Sequence, residues 1–317
     1  VNTVLITGGC GFLGRYFAEH HVHHGDQVVV VDDLSAVGSS SDWIKWPARF
    51  VEADAGSFFA VDAGGFDLAY HFAAPVGGRL KIEGDPLFNA DSLRLDSQFF
   101  RWAAHGGAET CVYPSSSAAY GTTFQRADSH AFLREPMFEP FSEAAFSPDE
   151  VYGLTKFVGE HLAKKAANYG VNTLCIRPFS GYGERQSFDY PFPSIVRRAV
   201  QREDPLLVWG SSYQVRDFVH VDDVVEATVQ RLRHPVNGYV AMNIGRGIPV
   251  TFRDLAELAA DVVGYKPTIQ IDDTKPEGVS WRVCDPTYMR RFWAPKIHLR
   301  DGVERMVRWL DAEDAGR

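Results

Sequence analysis

The chain is 317 residues long, with 45% hydrophobic, 13% aromatic and 23% charged residues, the make-up of an ordinary globular protein. That excludes intrinsic disorder, and 28 glycines with 17 prolines are too few for a collagen-like or low-complexity chain. Acids outnumber bases 41 to 32, a formal charge of −9, which argues against holding nucleic acid or an anionic membrane by bulk charge but leaves room for a local basic pocket.

At ~150 residues per domain the length suggests about two domains. The first hundred residues alternate two patterns. Val4-Leu5-Ile6 is an apolar run closed by Thr7-Gly8-Gly9, Phe12 to His24 reads as a helix stopped by Gly25, and Val28 to Val31 is a second run closed by Asp32-Asp33. Unalternating β-branched runs suit strands buried on both faces of a parallel sheet. Further strands are expected at Phe50-Val51, Leu68 to Phe72, Thr110 to Tyr113 and Thr173 to Ile176, with helices at Asn89 to His105 and Val151 to Tyr169. This order predicts an α/β fold, a Rossmann-type doubly wound sheet over residues 1–176. Prolines then punctuate shorter elements, and 177–317 is expected to form a smaller α+β substrate domain. The two interleave, because Phe218 to Val229 and Val240 to Ile244 read as a helix and strand returning to the first domain near 217–246. Thr122 to Phe146 reads as a surface insertion beside the site.

The four cysteines lie far apart, without zinc spacing or a disulfide framework, and Cys111 and Cys175 are expected as buried thiols. No metal site is expected. No apolar run nears the ~18 residues of a membrane span, and the chain opens on a strand rather than a leader, so a cytoplasmic location is expected. His20, His21, His23 and His24 cluster at the end of the first helix; they suit its dipole and solvent better than a metal. The tryptophans are mostly packing, with Trp209 or Trp281 able to stack on a base or sugar.

Gly8, Gly11 and Gly14 form G-x-x-G-x-x-G between the first strand and first helix. Such glycines let backbone approach a pyrophosphate at a helix N-terminus. Asp32, 18 residues after Gly14, can accept from ribose hydroxyls and repels a 2′-phosphate, favouring NAD over NADP. Asp54 follows the third apolar segment and is placed to meet the adenine edge. Tyr152 and Lys156, at i and i+4, share a helix face. The lysine charge makes the phenol a usable base, and Ser115, Ser116 and Ser117 close a strand with hydroxyls that can hold a reacting oxygen.

The glycine loop, His71-Phe72-Ala73-Ala74, Asn89, Ser-Ser-x-x-x-Tyr-Gly, Tyr-x-x-x-Lys, Arg177-Pro178-Phe179-Ser180-Gly181-Tyr182-Gly183 and Arg216 to Asp223 occur in one order. Together they resemble the extended short-chain dehydrogenase/reductase family, the NAD-dependent epimerase/dehydratase group acting on nucleotide sugars. The resemblance implies that Tyr152 is the base, Lys156 its electrostatic partner and Ser116 the catalytic hydroxyl. It places Gly8, Gly11, Phe12, Leu13, Gly14, Asp32, Asp33, Asp54, Ala55, Phe72, Ala73, Ala74, Asn89, Ser115 and Pro178 around NAD, with Tyr152 and Lys156. Ser116, Ser117, Ser180, Arg216 and Arg282 then face the substrate, the arginines its phosphates.

Dehydratases of the group carry an Asp-Glu pair after the catalytic hydroxyl, and decarboxylases a Glu; here Ser117 and Ala118 stand there. Ser-Ala-Ala resembles the 4-epimerases, so C4 epimerisation through a transient 4-keto sugar is expected. The alternative is a GDP-sugar 3,5-epimerase or a 4-keto-sugar reductase, suggested by Pro75 to Leu80 and Lys275 to Gly278, although the 3,5-epimerase Cys near Ala118 is missing. A non-catalytic NAD-binding protein is disfavoured by the intact Ser116, Tyr152 and Lys156. The usual Asn of the Arg-Pro segment is Ser180, and the epimerase Lys aligns with Val76. The helices 89–105 and 151–169 are those relatives pair across a two-fold, so a homodimer is expected, provided Arg94, Asp96 and Arg101 find partners.

Overall fold

Thr3–Thr7 (β1) shows why the apolar runs do not alternate. Val4 and Ile6 face one helical layer, Leu5 faces the other, and all three are fully buried. The computed structural model describes residues 1–36, 39–45, 48–75, 77–85, 87–138, 147–211, 213–275 and 277–315. Phe12–His23 (α1), Gln27–Asp32 (β2), Arg49–Glu52 (β3), Ala55–Val61 (α2), Phe66–His71 (β4), Arg79–Gly84 (α3), Asp91–Ala104 (α4) and Ala108–Pro114 (β5) follow in turn. Phe132–Leu133 (β6), Glu150–Ala166 (α5) and Asn172–Pro178 (β7) come next.

The remaining elements are short. They are Gly181–Tyr182 (β8), Pro191–Val200 (α6), Leu206–Trp209 (β9), Val215–Arg216 (β10), Val219–His220 (β11), Val221–Leu232 (α7) and Tyr239–Ile244 (β12). Val250–Thr251 (β13), Phe252–Val263 (α8), Ile269–Asp272 (β14), Trp281–Cys284 (β15) and Leu299–Ala315 (α9) close the chain.

A parallel sheet of seven strands runs β12-β7-β5-β4-β1-β2-β3. Chain order reverses between β1 and β4, and a crevice outside the strand ends at such a switch point is where α/β folds bind ligands. β12 returns to the sheet from beyond residue 238, as the apolar run Val240 to Ile244 predicts. The smaller lobe has its own core, where α6, α8 and α9 bring Phe192, Leu255 and Met306 onto Leu206 and Val208 of β9. A second sheet runs β13-β10-β15-β6.

Two expectations are corrected and a third is narrowed. The helix expected from Phe218 starts at Val221, because Val219 and His220 pair as a strand with Gly181 and Tyr182. The expected surface insertion at 122–138 is anchored by strand pairing and in the core: Leu133 pairs with Cys284 of β15, and Gln125, Leu133 and Phe138 are buried while Arg126 to His130 stay exposed; 139–146 lie outside the described residues. His21 is not in solvent, since it bridges Asp26 (2.7 Å) and the Tyr70 hydroxyl (2.9 Å) inside the protein. All four cysteines are buried and free. Arg94 pairs with Asp54, and Asp96 points inward to the Tyr113 hydroxyl, so of Arg94, Asp96 and Arg101 the first two find partners within the chain. Among the described residues no helix is long and apolar enough to cross a membrane, and no group of three or more His, Cys, Asp or Glu could hold a metal.

Candidate active site

β1 runs into Gly8, whose φ of +67° an L side chain rarely adopts; a Cβ there would stand 2.5 Å from the Ala73 nitrogen. A Cβ on Gly14 would collide with the Gly8 carbonyl, so α1 can begin this close to the loop only with glycine there. Gly11 precedes Phe12 and Leu13 without a side-chain cap, leaving the first helical N–H groups for a ligand. The Asp32 carboxylate closes the loop, accepting from the Cys10 and Leu34 nitrogens at 2.9 Å each, and burial raises its pKa. Asp33 turns to Ser35, and Asp54 caps α2 through the Ser57 nitrogen while pairing with Arg94 at 3.2 Å. Ala55 is buried behind that cap, Phe72 packs on Phe17 and Tyr70, and Ala73 and Ala74 follow half-buried. Asn89 is fully buried with neither amide atom partnered, and Ser115 is buried as well. Pro178 ends β7, and Val76 lies outside the described residues.

Tyr152 and Lys156, the expected catalytic pair, stand on α5. The Asp149 nitrogen donates to the Ala118 carbonyl at 2.9 Å, and a Cβ on Gly153 would collide with that same carbonyl, so a glycine lets the helix rest on the turn after Ser116. Ser116 caps that turn: its Oγ accepts from the Ala118 nitrogen at 3.1 Å, which leaves its own proton for an oxygen in the cleft. Lys156 is buried, its Nζ 5.2 Å from the centre of the Tyr113 ring. Ser116, Ala118 and Tyr152 share the wall of a cavity of about 370 Å³ that continues past Arg79, Arg216 and Arg282 to Trp209.

Charge in this cleft is unevenly matched. Arg216 and Arg282 are register partners on β10 and β15. Arg282 is held by Asp149 at 2.8 Å and by Gln125 at 2.6 Å; Arg79 is held by the other oxygen of Asp149 at 2.9 Å and by Glu83. Although burial opposes it, these two guanidinium groups bring the Asp149 carboxyl below the usual range. Arg216 donates only to the Val215 and Val279 carbonyls, and among the described residues no carboxylate lies within 4.0 Å of it. Burial, and then Arg282, push its pKa down to about 9, so it stays cationic at neutral pH.

Of the other expected substrate residues, Ser117 is buried in its turn and Ser180 stands off the cavity wall. Ser180 adopts φ 37°, in the left-handed region where asparagine is better tolerated than serine. Trp281 does not line the cavity; it lies 4.7 Å from the His130 ring, while Trp209 does line it. Arg79 and Asp149 carried no assignment in the sequence. Their only signal was a basic residue after Gly77-Gly78 and an acid one helical turn before Tyr152.

A profile of the NAD-dependent epimerase/dehydratase family matches residues 4–245. The chain belongs to this family. It is 34% identical over 299 residues to a putative GDP-L-fucose synthase 2 of Oryza sativa subsp. japonica, covering 89% of this chain and 83% of the relative. A putative UDP-glucose 4-epimerase of Methanocaldococcus jannaschii is 27% identical over 319 residues, covering 97% and 98%. The UDP-glucose 4-epimerase of Thermus thermophilus, solved with NAD, superposes with a TM-score of 0.81 at 22% identity over 98% of this chain and 99% of that one. That likeness concerns the fold.

The cofactor is NAD, and the residues present fit it. The glycine cradle has no room for a Cβ, a helix N-terminus faces the loop, a carboxylate closes it, and the Asn89 amide is buried without a partner. An orphaned buried amide costs about 1–3 kcal/mol, which a polar ligand offsets.

Proposed function

We propose that the protein is a nucleotide-sugar epimerase acting at C4 through a transient 4-keto sugar. The observation that carries this reading is one cavity joining Ser116 and Tyr152 to Arg216, a cation without a carboxylate partner among the described residues. A sugar hydroxyl at Ser116 and a diphosphate at Arg216 satisfy both ends. Ser116 donates to the reacting oxygen, Tyr152 takes its proton, and the Lys156 charge favours the phenolate. When bound, NAD supplies the hydride acceptor and donor. Tyr152 then returns the proton as the carbonyl is reduced from its other face, so no net oxidant or reductant is consumed. Ala118, buried beside Ser116, offers no acid for dehydration.

A 4-keto-sugar reductase or 3,5-epimerase is the second reading. The fucose synthase relative favours it, as does Asp189, an acid on the cavity wall. Asp32 disfavours the 2′-phosphate of the usual reductant. Incubation with UDP-, GDP-, CDP-, ADP- and dTDP-sugars, with products read by NMR, separates them. An epimer formed without added reductant supports the first reading; a product that needs NADPH, or loss of water, overturns it.

Arg216→Gln is expected to raise KM roughly 10–100-fold with kcat little changed, the loss of charge-assisted hydrogen bonds of about 1.5–3 kcal/mol. Steady-state kinetics check this. A lowered kcat at constant KM would move Arg216 away from the phosphates.

A further inference from the structure

Beneath Lys156 lies a chain of polar contacts with which the proposed reaction does not otherwise deal. The Tyr113 hydroxyl donates to Asp96 Oδ2 at 2.7 Å. The other oxygen of Asp96 is 3.3 Å from His71 Nε2, and His71 Nδ1 meets the Thr7 hydroxyl at 2.9 Å. Asp96 and His71 are 1% exposed, and Thr7 and Tyr113 fully buried. The opposite end of this chain is the Tyr113 ring, over which the Lys156 ammonium sits. Gly159 lets α5 approach this closely, because a Cβ there would run into the Tyr113 hydroxyl and stand 2.7 Å from Asp96 Oδ2.

The charges around Tyr113 can be counted element by element. α5 brings Lys156 and Glu160, α4 brings Asp96, β4 brings His71, and β7 brings Cys175 and Arg177. Glu160 and Arg177 close on each other through two hydrogen bonds of 2.7 Å. Burial holds His71 neutral and keeps the Cys175 thiol protonated. Of these groups, that leaves one buried cation, Lys156, and one buried carboxylate, Asp96, on either side of one tyrosine. A buried cation without a counter-charge is costly.

We infer that Asp96, acting through Tyr113, is the buried counter-ion that positions Lys156 beneath Tyr152. Asp96 touches neither sugar nor cofactor; it is a positioning residue, and it links the catalytic lysine through His71 and Thr7 to the strand that carries the glycine loop. The inference rests on Tyr152 being the base, as proposed above.

The test needs no sugar. The ultraviolet titration of the Tyr152 phenol is read in the NAD-loaded protein as the difference between each variant and its own Tyr152→Phe partner. Asp96→Asn removes the negative charge and keeps the shape, and its midpoint is expected to fall on the order of one pH unit. Tyr113→Phe keeps the ring but strips the hydrogen bond from Asp96, so the bare carboxylate acts more strongly and the midpoint rises. A loosened helix would carry both midpoints the same way. Midpoints that move together, or that stay at the wild-type value, overturn the inference. Should Asp96→Asn fail to fold, Tyr113→Phe decides alone. Opposite shifts in a protein that turns over no nucleotide sugar would refute the proposed reaction and keep the counter-ion.

Discussion

Tyr152→Phe is expected to lower kcat by on the order of 10²–10⁴ while leaving the fold and bound NAD intact. The size follows from the lack of a stand-in. Ser116 is a hydroxyl whose oxygen already accepts from Ala118. Asp149 is engaged by two arginines, and Lys156 is buried against the Tyr113 ring. A second phenol, Tyr190, lines the same cavity, but burial pushes its pKa up, so it stays protonated and cannot take over as base. Phenylalanine keeps the ring and its packing, so the melting midpoint should hold. The measurement is kcat at saturating nucleotide sugar beside a thermal melt and the NAD content of the purified variant. Wild-type turnover in that variant removes Tyr152 from the mechanism.

Glu160→Gln is expected to destabilise the protein by about 3–5 kcal/mol, read as a fall in the urea midpoint at unchanged slope. Arg177 and Glu160 are essentially unexposed and face each other in two parallel bonds. Tyr239 donates to the same carboxylate, Arg177 also donates to the Tyr120 hydroxyl at 2.7 Å, and its guanidinium lies 4.0 Å from the centre of the Phe138 ring. The pair thus fastens α5 to β7, to β12 and to the segment between β6 and α5. Glutamine fills the space but leaves the guanidinium charge buried without its counterpart. Burial alone would raise the Glu160 carboxyl; Arg177, with the Ser115 and Tyr239 hydroxyls, brings it below the usual glutamate range. With the folded pKa lowered, the stability it confers is complete above the ordinary glutamate pKa and lost as pH falls through the lowered one. Wild type should therefore lose stability on acidification in that window and the variant less so. Equal acid sensitivity in both would detach the pair from acid unfolding.

The parallel sheet was legible because Val4 to Ile6 and Val28 to Val31 are buried on both faces, a state that leaves its mark in consecutive residues. Helix α5 was also legible, although it starts at Glu150 behind its cap Asp149 and its last turn tightens at Ala167–Tyr169. The anchoring of residues 122–138 was not legible. Leu133 and Phe138 are buried by partners more than a hundred residues away or on another element, and a two-residue strand has no periodicity to read. His21 misled because the helix-end dipole is a local cue, whereas Asp26 and Tyr70 decided its surroundings. In the site, the i, i+4 spacing placed Tyr152 and Lys156 on one helix, and α5 carries both; Ser116 was expected from the family resemblance and shares a cavity wall with Tyr152. Arg79 was not, because its significance lies in sharing Asp149 with Arg282, residues that are neighbours only after folding.

That sharing makes the cleft an ion exchanger in miniature. Asp149 already stands where an anion would for two of the three guanidinium groups, so on the proposed reading a dianion seated on Arg216 would meet neighbours held by an existing partner. Part of the attraction would go into release rather than capture. Asp149 is one helical turn from Tyr152, so on the proposed reading any loosening of its two arginine contacts would reach the base end through the first turn of α5.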